Sequence, residues 1–170
     1  MSTAGATTRS TEETARAYFD ALAQGDVEAM AACWKPGTVD HIHGTADMRV
    51  PDGLKTWFGD LFRAFPDFAV VVVDLVCQDN RAAVRWSATG TFNGTGSFQG
   101  LQPNGASVET EGFDLLTIEG GLVVDNHAYT NELHVLRQVG TLPPQGSRAE
   151  TAMTGAFNLK TRLAGALKRS

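Results

Sequence analysis

The periodicity of the chain changes once, at Pro66, and that change restricts the fold more than any other feature of the sequence. Before Pro66 apolar residues recur at helical spacing; after it they alternate in long runs broken by turn residues. Ser10 and Glu13 have capping-box spacing, and Ala15, Tyr18, Phe19 and Leu22 then fall on one helical face. Gly25 closes that helix. Asp26 caps a second one, with Val27, Met30, Cys33 and Trp34 inward, and Pro36-Gly37 ends it. Thr38 to Gly44, TVDHIHG, reads as a short extended piece. A third helix from about Asp52 carries Leu54, Trp57, Phe58, Leu61, Phe62 and Phe65 as a broad apolar stripe.

Beyond Pro66 four strands are predicted: Phe68 to Cys77, Ala82 to Phe92, roughly Ser107 to Ile118, and Leu122 to Thr130. Turn signals separate them at Asp79-Asn80, Asn93-Gly94, Asn104-Gly105 and Gly120-Gly121. Helices first and a meander of strands after is the pattern of an α+β fold, with helices on one face of an antiparallel sheet. Residues 1–10 are small and polar and are expected to be disordered. The domain proper is expected over 11–140, a linker with Pro143-Pro144 over 141–147, and a helical extension over 148–170. In that extension Met153, Phe157, Leu163 and Leu167 fall roughly in one stripe, expected to cover an apolar patch of the domain or of a partner subunit.

Composition removes several classes of function. At 170 residues, 42% hydrophobic and 19% charged, the chain can build a core without metal or disulfides. A net charge of −5 with mixed signs argues against a nucleic-acid partner. The longest apolar run, Phe68 to Val73, is too short to cross a bilayer, so no membrane partner is expected. No secretory leader is visible in MSTAGATTRSTEET, and a cytoplasmic protein with two reduced, buried thiols, Cys33 and Cys77, is expected. Asn104-Gly105 and Gly94 to Gly96 lack the strand-to-helix context of a phosphate loop.

Asp114 is the residue that points to chemistry. It sits between apolar neighbours on a predicted strand, with Gly112 and Leu116 on its own face. A carboxylate there costs free energy unless it is paired, wet or neutral, and desolvation should raise its pKa if no cation is close. In TVDHIHG, His41 and His43 share one strand face, and Asp40 and Ile42 the other. A histidine is a natural general base near neutral pH. An H-x-H pair with a carboxylate is also a possible metal site, but no third ligand stands at a tight spacing and none is assigned.

The segments AYFDALAQGDVEAM, AFPDF, RWSATGTFNG, FQGLQPNGASVETEGFD, and GGLVVDN followed by NELHVLRQVG resemble, in order and spacing, the NTF2-like cone. Within it they are most similar to the SnoaL-like group, the polyketide cyclases and their relatives. The resemblance covers about residues 12–140. It implies three N-terminal helices packed on a curved antiparallel sheet around an apolar cavity, cofactor-independent proton transfer, and a homodimer through the outer sheet face. SnoaL-type cyclases close a ring by aldol condensation with an aspartate late in the final strand; that position falls on Ala128. Ketosteroid isomerase, a second relative, implies roles for Tyr18, for Asp114 and for a base at Asp40 or His41. In that enzyme an apolar site keeps an aspartic acid neutral, so that it donates a hydrogen bond to an oxyanion.

The candidate catalytic residues are therefore Asp114, His41, Tyr18 and Asp40, with Asn126, His43, Trp34, Trp57, Phe62 and Trp86 as candidate substrate contacts. The expected function is proton transfer on a hydrophobic, carbonyl-bearing small molecule, as an isomerase or an aldol-type cyclase without cofactor. Ala128 favours the alternative, a small-molecule-binding member of the fold without chemistry. Epoxide opening ranks below both, since the Asp-Arg-Asp set it uses has no arginine two residues before Asp114.

Overall fold

The computed structural model describes residues 9–167. The chain falls into two compact units, 1–131 and 132–170. The first contains helices α1 (Thr11–Ala23), α2 (Val27–Ala32) and α3 (Asp52–Ala64). Its strands are β1 (Val39–Ile42), β2 (Ala46–Arg49), β3 (Ala69–Gln78), β4 (Arg81–Phe92), β5 (Ala106–Glu119) and β6 (Leu122–Thr130). The α+β reading holds, and the architecture is that of an NTF2-like fold: three helices and a curved open sheet.

The six strands form one sheet in the order β2-β1-β6-β5-β4-β3. All neighbours are antiparallel except β1 and β6, which run parallel with Asp40 opposite Asn126 and Ile42 opposite Ala128. TVDHIHG supplies only β1; the chain then turns at Gly44 and returns as β2. The sequence pattern did not separate β2, since Met48 is its one buried residue. Bulges between Val72 and Asp74 and between Thr117 and Ile118 add local twist to β3 and β5.

Helix α1 begins at the expected capping box: Ser10 Oγ accepts from the Glu13 amide, and Glu13 accepts from the Ser10 amide. It lies across β3 to β6. Thr14, fully buried, donates its hydroxyl to Ser10 O and Gly121 O, pinning the helix to the β5–β6 turn. One core gathers Tyr18, Phe19, Met30, Trp34, Leu54, Phe58, Val84, Leu116 and Val123 between helices and sheet. Cys33 is buried as expected, whereas Cys77 is only half-buried, because the inner face of β3 is incompletely covered near its end.

Between β4 and β5 the chain makes a long loop over 93–105, with the turn signals Asn93-Gly94 and Asn104-Gly105 at its two ends. The loop docks on the end of α3: the amides of Gly94 and Thr95 donate to Ala64 O and Arg63 O, satisfying carbonyls that a helix end leaves open. Gly94 is required by contact. A Cβ there would lie 1.8 Å from Arg63 O.

In the second unit, α4 (Glu132–Gln138) is followed by α5 (Arg148–Leu167). Glu150 joins them: its carboxylate accepts from Arg137 Nη2 at 2.6 Å and from the Gly146 amide at 2.6 Å, while its own amide donates to Ser147 Oγ. The expected terminal helix exists among the described residues, but its apolar stripe is not buried. Met153, Phe157, Leu163 and Leu167 are all exposed. Residues 1–8 and 168–170 of the expected N-terminal and C-terminal segments lie outside the described residues.

Gly94→Ala should destabilise the first unit by about 2 kcal/mol or more, since the new methyl meets backbone that cannot step aside. Chemical denaturation of the variant against wild type measures it, and an unchanged midpoint would contradict the tight approach.

Candidate functional site

Strand alternation decides which side chains meet. On β5, Thr110, Gly112, Asp114 and Leu116 share the inner face; on β6, Asn126 and Ala128; on β1, Asp40 and Ile42. The register sets Asp40, Asn126 and Leu116 in one row across three strands, and Ile42, Ala128 and Asp114 in the next. Helix α1 closes this face with Tyr18. The result is a group of buried polar residues inside an apolar core: Asp40 at 1%, Asn126 at 1% and Asp114 at 5% exposure.

These groups form a continuous hydrogen-bonded chain. Tyr18 Oη donates to Asp40 Oδ2 at 3.3 Å. Asn126 Nδ2 donates to Asp40 Oδ1 at 2.9 Å and to Asp114 Oδ2 at 2.8 Å. Trp86 Nε1 donates to Asp114 Oδ1 at 2.7 Å. Neither acid takes part in an ion pair with lysine or arginine among the described residues. Two buried carboxylates thus depend on neutral donors alone.

Their proton affinities follow. Burial, and next the charge of Asp114, push Asp40 up to about 7, against smaller opposing effects from the Asn126 and Tyr18 hydrogen bonds. Burial also raises Asp114, while the Trp86 and Asn126 donors hold it down. Tyr18 is pushed well above its ordinary range by burial and then by the two acids, so it stays a hydroxyl donor. Both oxygens of each acid accept a hydrogen bond, from Tyr18 and Asn126 at Asp40 and from Trp86 and Asn126 at Asp114. Burial thus raises both acids, Asp114 as expected and Asp40 to about 7 with the charge of Asp114 as a further cause, and the two titrate as a coupled pair.

Gly112 makes the Trp86 contact possible. It is paired with Trp86 across β4 and β5, and a Cβ on Gly112 would sit 2.1 Å from the indole. The ring therefore lies over the glycine and reaches Asp114, two residues along. The G-F-D order carries this signal in the sequence, but nothing in it names the partner ring.

Among the candidates, the structure brings Tyr18, Asp40, Asp114, Asn126 and Trp86 together. Trp34 packs edge-on to Tyr18 with ring centres 5.8 Å apart, and its buried Nε1 finds no protein partner. Trp57 and Phe62 lie on α3, against Phe98 and Phe68, outside the hydrogen-bonded chain. His41 and His43 are not in the cluster. They lie on the outer sheet face, where His41 Nδ1 meets Asp47 at 2.7 Å and His43 Nε2 meets His127 Nδ1 at 2.8 Å. Alternation that turns Asp40 inward must turn His41 outward. Among the described residues no group of three or more His, Cys, Asp or Glu side chains is arranged to hold a metal ion.

Residues 12–139 match the family described as SnoaL-like polyketide cyclase. The chain belongs to that family. No curated protein matches the chain. Solved structures of similar fold include AclR, a suggested hydroxylase from Streptomyces galilaeus, at 23% identity and TM-score 0.68, covering 94% of each chain. A suggested SnoaL-like polyketide cyclase from Jannaschia sp. CCS1 is 23% identical at TM-score 0.67, covering 81% of this chain and all of its own. A protein of ketosteroid isomerase-like fold from Catenulispora acidiphila, in complex with trimethylamine, is 15% identical at TM-score 0.64, covering 79% and 100%. The AclR match spans about 160 of the 170 residues, so it runs into α5, which a match of about four fifths does not require.

For this SnoaL-like protein the raised Asp40 has a consequence for stability. A native-state pKa of about 7 against 3.8 unfolded means the folded state binds the proton more tightly. Its contribution is complete below the unfolded value and is lost as pH rises toward 7; above that the ionised group costs on the order of a few kcal/mol. Asp40→Asn should therefore raise the thermal midpoint at about pH 8, by on the order of 5 °C, and much less at about pH 4. Calorimetry at the two pH values checks this; equal gains at both would remove the assigned shift. Gly112→Ala should displace the Trp86 ring, destabilise by about 1–3 kcal/mol and shift tryptophan emission.

Proposed function

We propose that this SnoaL-like protein is a cofactor-independent proton-transfer enzyme acting on a hydrophobic, carbonyl-bearing small molecule. The observation that carries the reading is Asp40: a buried carboxyl with a pKa of about 7, hydrogen-bonded to a tyrosine and beside a second acid with no cation. A general base works best when its pKa lies near the working pH, and this one is set there by its surroundings.

In the proposed step ionised Asp40 takes a proton from the carbon next to the substrate carbonyl. The C–H electron pair moves into a new C=C bond, and the carbonyl oxygen becomes an enolate. Once Asp40 carries the proton, its need for the Tyr18 donor falls, and the hydroxyl becomes available to the enolate oxygen. Such a donor placed where charge develops supplies a large share of catalysis. Asp114 acts by its charge, which makes Asp40 a stronger base. The enolate then either recovers the proton at another carbon, an isomerisation, or attacks a second carbonyl, an aldol-type ring closure.

Hydrogen–deuterium exchange next to the carbonyl, followed by NMR on a panel of steroid enones and polyketide-like diketones, tests this. The rate should rise with pH through about 7. Asp40→Asn should lower it by about 10²–10⁴-fold, and Asp114→Asn should move the limb to lower pH. Exchange that survives Asp40→Asn intact would end the assignment. Ala128, buried beside Asp114 where cyclases place their acid, supports the second reading, a binding protein without chemistry. Ligand retained in native mass spectrometry but returned unchanged favours that reading.

A homodimer through the outer sheet face belongs to the same proposal. That face stacks His41, His127, His43 and Tyr129 in series, with Phe113 and Tyr129 exposed at 41% and 52%. An exposed aromatic sheet face of this kind suits a second copy. Phe113→Glu should give a monomer by analytical ultracentrifugation where wild type sediments as a dimer.

A further inference from the structure

We propose that Asn126 is a positioning residue that holds Asp40 and Asp114 as one coupled carboxylate pair. The catalytic consequence rests on the reading of Asp40 as the proton-transfer group; the coupling itself belongs to the resting protein. Asn126 stands opposite Asp40 in the parallel β1–β6 pair and opposite Leu116, two residues from Asp114, in the antiparallel β5–β6 pair. Its single amide nitrogen carries two hydrogens, and each reaches one acid, at 2.9 and 2.8 Å. Tyr18 touches only Asp40, and Trp86 only Asp114. Asn126 is the one partner that the two acids share among these contacts.

The orientation of the amide is itself informative. Asn126 Oδ1 is buried and has no hydrogen-bond partner among the described residues. Leaving a buried carbonyl oxygen unsatisfied costs free energy, and the amide accepts that cost because two charge-assisted bonds hold the nitrogen end in place. Turned over, it would aim its oxygen at two carboxylates.

The choice of residue sets what the pair can do. An arginine between the acids would keep both ionised through the range where enzymes work. A leucine of similar size would leave Asp40 with Tyr18 alone and Asp114 with Trp86 alone as donor. The amide fixes the geometry and supplies no charge, so the like-charge repulsion survives and one acid keeps a proton that the other has lost. The other titratable groups around the pair are Tyr18 on α1, Cys33 at the end of α2, and His41 on the far face of β1.

NMR of ¹³C,¹⁵N-labelled protein from about pH 4 to about pH 9 tests the proposal without substrate. The Asn126 side-chain amide resonances should shift with the same midpoint as the Asp40 carboxyl carbon. In Asn126→Leu the Asp40 midpoint should rise by about one unit, because a donor to its charged form is gone. An Asp40 midpoint unchanged in a folded Asn126→Leu, or wild-type amide resonances that ignore the Asp40 titration, would overturn the coupling. Should Asn126→Leu fail to fold, the wild-type amide titration decides alone. Turnover separates the two ideas: linked titration with exchange activity that survives Asp40→Asn retains the coupling and rejects the catalytic reading.

Discussion

Two carboxylates sharing one amide nitrogen inside an apolar core form the interaction on which the rest of this site depends. Each would be expelled to water or neutralised by a cation in an ordinary core. Here the sheet prevents the first, and among the described residues no lysine or arginine supplies the second. Asp40, Asn126 and Asp114 come from three adjacent strands, so the backbone ladders fix their separations before any side chain adjusts. Tyr18 from above and Trp86 from the side then complete the donor set.

That donor set explains features that look unrelated along the chain. Gly112 is small because the Trp86 ring lies on it, and the ring lies there because its N–H must reach Asp114. Thr14, fully buried, anchors α1 to the β5–β6 turn, which holds Tyr18 one helical turn further on above Asp40. The parallel pairing of β1 with β6 is needed to bring Asp40 opposite Asn126 at all. A polar cluster is stable only when every member is held, and each of these contacts holds one.

Much of this was legible before any coordinates. The switch of period at Pro66, the capping box at Ser10 and the turn at Gly120-Gly121 located most elements to within a residue or two, because those signals are local. Alternation placed Asp40 and His41 on opposite faces. It could not say which face was inside, because a four-residue strand with one apolar and one polar residue on each face carries no hydrophobic contrast. The Trp86–Gly112 contact and the bridge through Asn126 were hidden for another reason: both depend on pairing between strands, a property of register that no single segment encodes. Asn93-Gly94 and Asn104-Gly105 marked the two ends of the loop over 93–105, but that Gly94 serves the end of α3 is again a contact between segments that no local signal encodes.

The position of the acid within the sheet separates this chain from the cyclases that its sequence resembles. In those the acid/base stands late in the final strand, and here that position is Ala128. Ala128 is opposite both Ile42 on β1 and Asp114 on β5, so it borders the same inner surface as the two acids. Asp40 lies one pleat from Ile42, about 7 Å along the strand. Asp40 on β1 and the β6 position that Ala128 fills therefore face the same side of the sheet from neighbouring strands. The neighbourhood of Asp40, Asn126, Ala128 and Asp114 is set by the ladder, because the pairing of β1, β6 and β5 fixes which side chains share a row.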